Sequence, residues 1–285
     1  MIGDTSGNIQ VYDQSNIDLY QVDIDIVNRI IQLPNDYVVS VSNDCTVNVF
    51  TGLNWTIIQT YTGHSDWVTD VEYINTDTLA SSSFDGTIQV WSISSSLTSR
   101  TVVVNQVVNS IQLLSNGYYL AGGLHLGKIN IYNLNTGGLI TTLVGHTNQV
   151  NDLVLISNSV MASSSSDKTI RIWNLSTNKI KFILTGHTSA VNGLKVVTSD
   201  ILASGSWDKT VKLWNTTSGS LIRTLVNHTN GILYSIDLYD RQTLITGSWD
   251  QTIKYWNFIT GQLLNTIYTD LIINSLAVVY QMNRK

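Results

Sequence analysis

Residues 203–215 read ASGSWDKTVKLWN. A small apolar start and a Ser lead into a turn centred on Asp208. After the turn, Val211 and Leu213 alternate with Thr210, Lys212 and Trp214, the period-2 pattern of a strand in a sheet with two distinct faces. The same pattern recurs at 162–174 (ASSSSDKTIRIWN), 245–257 (ITGSWDQTIKYWN) and 80–91 (ASSSFDGTIQVW). Weaker copies end at Phe50, Tyr132 and Tyr12. The terminal aromatics fall at 12, 50, 91, 132, 173, 214 and 256, a spacing of 38 to 42 residues that is 41 at four of its six steps. Self-similarity at that period is the mark of a repeat architecture.

Bulk composition agrees. The 285 residues are 43% apolar and only 12% charged, with Ser, Thr and Asn supplying the polar surface. Seven units at one period point to a single closed object over 1–285. A net charge of −5 leaves no basic footprint for nucleic acid and no polybasic patch for a membrane. One cysteine, Cys45, allows neither an intrachain disulfide nor a cysteine metal cluster. No apolar run reaches the ~18 residues of a membrane span. The expectation is a monomer of the cytoplasm with no nucleic-acid or membrane partner.

Each unit divides into four short strands separated by Asn, Asp, Ser and Gly turn signals, as in 67–74, 78–83, 87–91 and 100–105. The last such unit is expected at 232–239, 243–248, 252–256 and 263–268. No segment carries a helical period of useful length, and the only proline, Pro34, lies between strand patterns. Four-stranded antiparallel units arranged radially bury both faces of every sheet. Residues 272–280 match the first strand of a unit, and residues 1–23 supply the other three. The closing unit is therefore expected from 272–285 plus 1–23, which removes the last two sheet edges.

Three Gly-His pairs, Gly63–His64, Gly145–His146 and Gly186–His187, each precede a Trp that lies 27 residues after its His: Trp91, Trp173 and Trp214. Asn227–His228 with Trp256 is a close variant. This pattern resembles the WD-repeat β-propeller family, with Trp-Asn or Trp-Ser where the family writes Trp-Asp. The resemblance implies an all-β, seven-bladed β-propeller of four-stranded antiparallel blades whose closing blade is shared between the termini. It also implies a hydrogen-bonded tetrad in each strong copy: His64, Ser81, Asp85, Trp91; His146, Ser163, Asp167, Trp173; His187, Ser204, Asp208, Trp214; and His228, Thr246, Asp250, Trp256.

Ser, His and Asp are also the ingredients of a hydrolytic triad. Four copies in four units favour scaffolding networks that satisfy buried polar groups, since a catalytic site is made once. The histidines at 146, 187 and 228 occupy equivalent places in successive blades and cannot converge on one metal ion. His125 reads as a lone surface residue. No catalytic activity, cofactor or metal is expected.

By the same resemblance, one rim of the ring binds peptides or partner proteins. It is lined by the residue before each turn Asp and by alternate positions near the start of each inner strand. Here those positions place Trp67, Phe84, Trp207, Tyr234 and Trp249 on one face, together with a ring of Asn that includes Asn151 and Asn192. Aromatics beside amide groups suit an extended peptide; the competing reading is that the tryptophans pack on their own turns. The sequence reading is a non-catalytic scaffold for a protein or peptide, with a sensor portion of a larger multidomain protein as the alternative.

Overall fold

The computed structural model describes residues 1–12, 17–21, 25–51, 55–95, 97–232 and 235–278. These form seven four-stranded antiparallel sheets and no helix. The second blade, with strands Val68–Asn75, Thr78–Ser83, Thr87–Ser92 and Thr98–Val103, represents the others. Each strand pairs antiparallel with the next. Turn chemistry sets this register. Asp85 accepts the Thr87 amide and hydroxyl at 2.9 and 2.7 Å, and Gly86 takes a φ of 77°, which costs glycine nothing.

The two middle strands of the second blade are buried on both faces, whereas the fourth is mostly exposed. This gradient places the cores between blades rather than within them. Ala80, Ile88 and Val90 of the second blade pack against Val108, Ile111 and Leu120 of the third. Equivalent clusters fill every other seam. At the fifth and sixth blades the approach is close enough to demand glycine. A Cβ on Gly205 would lie 2.6 Å from Ile232 Cγ2, and one on Gly247 2.5 Å from Ile273 Cγ2.

Closure follows the expected scheme over the described residues; of the expected 272–285 and 1–23, residues 13–16, 22–23 and 279–285 lie outside them. Ile273–Leu276 forms the inner strand of the closing blade, followed by Ile2–Asp4, Asn8–Tyr12 and Ile17–Gln21 from the N-terminal end. Ile2 pairs with Leu276 and Gly3 with Ser275. On one side of this blade Ile2 and Ile273 pack with Ile245 and Ile253 of the sixth. On the other, Ile9 and Ala277 pack with Val27, Ile30 and Val38 of the first. The ring is thus sealed by apolar burial as well as by strand pairing.

Two details depart from expectation. The inner strand of the sixth blade, expected over 232–239, is a strand only at Ile236–Leu238, and 233–234 lie outside the described residues. The outer strand of the second blade begins at Thr98 rather than Arg100, with a register shift between Val90 and Trp91. A bulge of this kind inserts one residue and shifts the strand start.

Candidate interaction rim

All four tetrads form. In the fifth blade, Trp214 Nε1 donates to Ser204 Oγ at 2.8 Å, and His187 Nε2 lies 2.8 Å from the same oxygen. His187 Nδ1 lies 2.7 Å from Asp208 Oδ2. The chain of donors has one direction. Asp208 can only accept, so Nδ1 carries the proton; Nε2 then accepts from the Ser204 hydroxyl, whose lone pairs take the indole N–H. Burial pushes the His64 and His228 imidazoles below their ordinary value, outweighing the carboxylates beside them. For Asp208, burial opposes ionisation, but the bonds from His187 and Thr210 outweigh it and hold the carboxyl well below the usual range. Gly63 and Gly145 precede their histidines because a Cβ at either would crowd the tetrad indole, 2.7 Å from Trp91 Cη2 and 3.0 Å from Trp173 Cη2. These Ser, His and Asp residues are frame.

The inner strand of each blade lines the central channel with one edge unpaired, and such an edge must be satisfied in another way. Side chains from the preceding blade do this in two layers. In the upper layer, amides and one hydroxyl donate to a carbonyl at the start of the next inner strand or, in the sixth blade, ahead of it. Asn28 reaches Val68 O at 2.8 Å, Thr69 reaches Val108 O at 2.6 Å, and Asn109 reaches Val150 O at 2.8 Å. Asn151 reaches Val191 O at 2.8 Å, Asn192 reaches Ile232 O at 3.5 Å, and Asn274 reaches Val27 O at 2.9 Å. In the lower layer, carboxylates accept amides of the next strand. Asp70 takes Ile111 N–H at 2.9 Å, Asp152 takes Leu194 N–H at 2.8 Å, and Asp237 takes Val278 N–H at 2.8 Å.

Two residues expected to touch a partner also serve this ring. Asn151 and Asn192 are 2% and 5% exposed. Asn151 spends its amide on Val191 O, Ser166 Oγ and Asn192 Oδ1. Both tie neighbouring blades together, and Asn151 also lines the hollow at the channel mouth beside Trp67 and Phe84. The sequence pattern of an Asn near the start of five of the seven inner strands does not distinguish an amide facing a ligand from one facing the next blade.

The channel also holds Arg29, with Nε 3.4 Å from Asp70 Oδ1 and Nη1 3.8 Å from Asp152 Oδ1. Ser110 Oγ donates to Asp70 Oδ2 at 2.8 Å. Burial raises the Asp152 carboxyl to about 6 against the pull of Arg29, with Asp70 adding to the rise. Glu72, half-buried, is pushed up to about 8, chiefly by burial and despite accepting the Leu113 amide. Nothing in the sequence pattern singled out this acidic layer. The signal available was a carboxylate at 70, 72, 152 and 237, each inside an inner strand. Among the described residues, no group of three or more His, Cys, Asp or Glu could hold a metal ion.

On the rim above, the aromatics form two separate pairs. Trp67 and Phe84 have ring centroids 5.2 Å apart, and Trp67 is 45% exposed. They stand beside a hollow of about 270 Å³ at the channel mouth, lined from the first and second blades by Ile26, Asn28, Asn43 and Thr69 and from other blades by Asn109, Gln149, Asn151 and Asn274. Trp207 and Trp249 lie 4.9 Å apart in an edge-to-face arrangement, and both are half-buried. The Trp207 ring covers Gly231 so closely that a Cβ there would collide with it. The Trp249 indole N–H is buried and finds no acceptor among the described residues. Tyr234, expected beside this pair, lies outside the described residues. His125 is exposed, as expected.

Comparison with known proteins adds the family. The profile of the WD domain, G-beta repeat, matches residues 55–92, 137–174, 178–215 and 219–257, together more than half of the chain. The chain belongs to the WD40-repeat family. Each matched segment contains one tetrad and ends one residue after its tryptophan. The WD40 propeller is also similar to three longer proteins. It is 31% identical over 125 residues to the probable coatomer subunit beta' of Schizosaccharomyces pombe, covering 41% of this chain and 16% of that protein. It is 27% identical over 135 residues to autophagy-related protein 16 of Arabidopsis thaliana, covering 47% and 26%. With the WD repeat-containing protein 89 homolog of Dictyostelium discoideum it shares 38% identity over 106 residues, covering 36% and 29%. The match spans less than a third of each of these relatives. Folds of this family are generally associated with protein–protein interaction.

Proposed function

We propose that this WD40 propeller is a non-catalytic scaffold that docks a partner protein or peptide on the rim carrying Trp67, Phe84, Trp207 and Trp249. The observation that supports it most is the Trp67–Phe84 pair beside a hollow at the channel mouth. Trp67, 45% exposed and paired with Phe84, offers an apolar surface beside the hollow that a partner could cover. Neighbouring backbone is fixed by the amide ring, so the surface is organised before binding and little ordering cost remains for the complex.

Trp207 and Trp249 are the second anchor in this reading. The unsatisfied Trp249 N–H gives the pair a donor that a small shift of the ring would offer to a carbonyl of the partner. Partner capture compares wild type with Trp67→Ala and with the Trp207→Ala/Trp249→Ala double variant, alongside melting curves of the same proteins. Loss of capture with an unchanged melting curve supports the rim; a lower melting temperature with intact capture returns the tryptophans to packing.

A second reading, the sensor portion of a larger multidomain protein, is favoured by the short share of each relative that the match spans. The full reading frame decides it. Both readings keep the rim as the recognition surface.

A further inference from the structure

The rim is not electrically uniform. Around the hollow, Ile26, Asn43, Trp67 and Phe84 are each next in the chain to an aspartate: Asp25, Asp44, Asp66 and Asp85. All four carboxylates act on the Cys45 thiol, which burial and then this negative field push upward, so they share one neighbourhood. Asp85 is committed to its tetrad. Asp25 and Asp66 are exposed, and each accepts its neighbour's amide through Oδ1, at 2.7 and 2.8 Å. Among the described residues no Lys or Arg is ion-paired to either. Across the ring the same turns carry Lys168 and Lys209, both exposed.

Three features therefore coincide at one mouth: a hollow of about 270 Å³ with no charged lining residue, an exposed indole, and aspartates next in the chain to four of its lining residues. An aromatic face attracts a cation, and a long aliphatic stem can cover an apolar wall while its charge stays at the edge. An acidic or purely apolar side chain would leave part of this set repelled or unused.

Building on the rim reading above, we propose that the hollow at the channel mouth, on its side formed by the first and second blades, takes a lysine or arginine side chain of the partner peptide. Its stem lies on Trp67 and Phe84, and its charge sits among Asp25, Asp44 and Asp66.

The test uses the intact chain and short peptides identical except for a central Arg, Lys, Leu or Glu, with binding read by tryptophan fluorescence. The basic peptides bind about tenfold more tightly than the Leu peptide at low salt, and the gap narrows at high salt. The Asp25→Asn/Asp66→Asn variant keeps both backbone bonds, because an Asn oxygen accepts as the carboxylate does. It brings the Arg peptide to the level of the Leu peptide without moving the melting curve. The inference falls if the Leu or Glu peptide binds as well as the Arg peptide, if no peptide binds, or if the preference survives the double variant. Displacement of the Arg peptide by calcium ions alone, at concentrations that leave the Leu peptide bound, also overturns it in favour of a metal site. The rim reading is judged separately. If Trp67→Ala still abolishes capture of the native partner while the peptides show no charge preference, the rim stands and the cation subsite does not.

Discussion

Removing the carboxylate of Asp208 tests the tetrad at its most connected atom. Asp208 accepts four hydrogen bonds: His187 Nδ1 at 2.7 Å, Thr188 N at 3.0 Å, Thr210 N at 3.0 Å and Thr210 Oγ1 at 2.6 Å. Its side chain is 6% exposed and that of His187 1%. In Asp208→Ala the amide of Thr188 is at an exposed position and turns to water, which costs little. The His187 N–H has no such route, and a buried donor left unpaired costs ~1–3 kcal/mol. Loosening of the turn at Lys209, whose φ of 72° is held by those bonds, adds to this. The expected destabilisation is ~2–3 kcal/mol by urea denaturation, a fall in Tm of about 4–10 °C for a chain of this size.

Acid dependence gives the same test a second arm. The folded carboxyl is held below its ordinary 3.8, so its stabilisation is fully present above that value and is lost as pH falls below it. Asp208→Ala should therefore flatten the stability profile below pH ~4 relative to wild type. Asp208→Asn is informative for direction. Its oxygen still serves Thr210, but its amide meets His187 Nδ1 donor to donor unless the imidazole takes the other tautomer. That tautomer sends Nε2–H to Ser204 Oγ, whose own proton must turn to Lys212 O at 3.4 Å. Asn should then fall between wild type and Ala. A Tm unchanged in Ala, or an Asn variant worse than Ala, would refute the one-way relay.

The remaining predictions address the ring and its charges. Asn151→Ala should destabilise the fold by ~1–3 kcal/mol, because Val191 O loses its donor in a closed seam; denaturation unchanged from wild type would mean the amide ring is incidental. Glu72→Gln should leave stability near wild type at pH 4.5 and raise it progressively towards pH 8. The wild-type carboxyl, held up at about 8, makes ionisation cost more in the folded state across that window. A benefit that shrinks with rising pH contradicts this assignment. The Cys45 thiol should alkylate more slowly than a free thiol near neutrality, and Asp66→Asn should speed it by lowering the thiol's pKa; equal rates in both proteins would remove Asp66 from its neighbourhood.

The fold was readable because repetition multiplies a weak signal. One ASGSWDKTVKLWN segment is compatible with a hairpin in any sheet, but several copies near one spacing leave room only for a ring or a stack. The tetrads were readable for the same reason: His187, Ser204, Asp208 and Trp214 keep fixed spacing within a blade, so local sequence carries all four partners. The sixth blade's short inner strand was not. Gly231 there makes room for the Trp207 ring, a contact between blades that no spacing within either blade records.

Local sequence fails in the same way for the inner strands, and for a physical reason. An Asn at the start of an inner strand has identical neighbours whether its amide meets a ligand, water or the next blade, because the deciding atom, Val191 O for Asn151, is 40 residues away. Satisfying an unpaired edge is obligatory, whereas binding a peptide is optional. A polar residue that recurs from edge strand to edge strand therefore belongs first to the fold, as the tetrad serines and histidines do. What is left for recognition is what does not recur. Trp67, Phe84, Trp207 and Trp249 stand at positions where other blades carry Asn43, His125, Ser166 or Ala190, and no backbone group needs them. The aspartates divide along the same line. Asp85, Asp167, Asp208 and Asp250 return with each tetrad, while Asp25 and Asp66 precede inner strands where the third, fourth and fifth blades have Gln106, Asn148 and Ser189. Departure from the repeat, read after the frame has claimed its share, is what separates a candidate contact from a structural one.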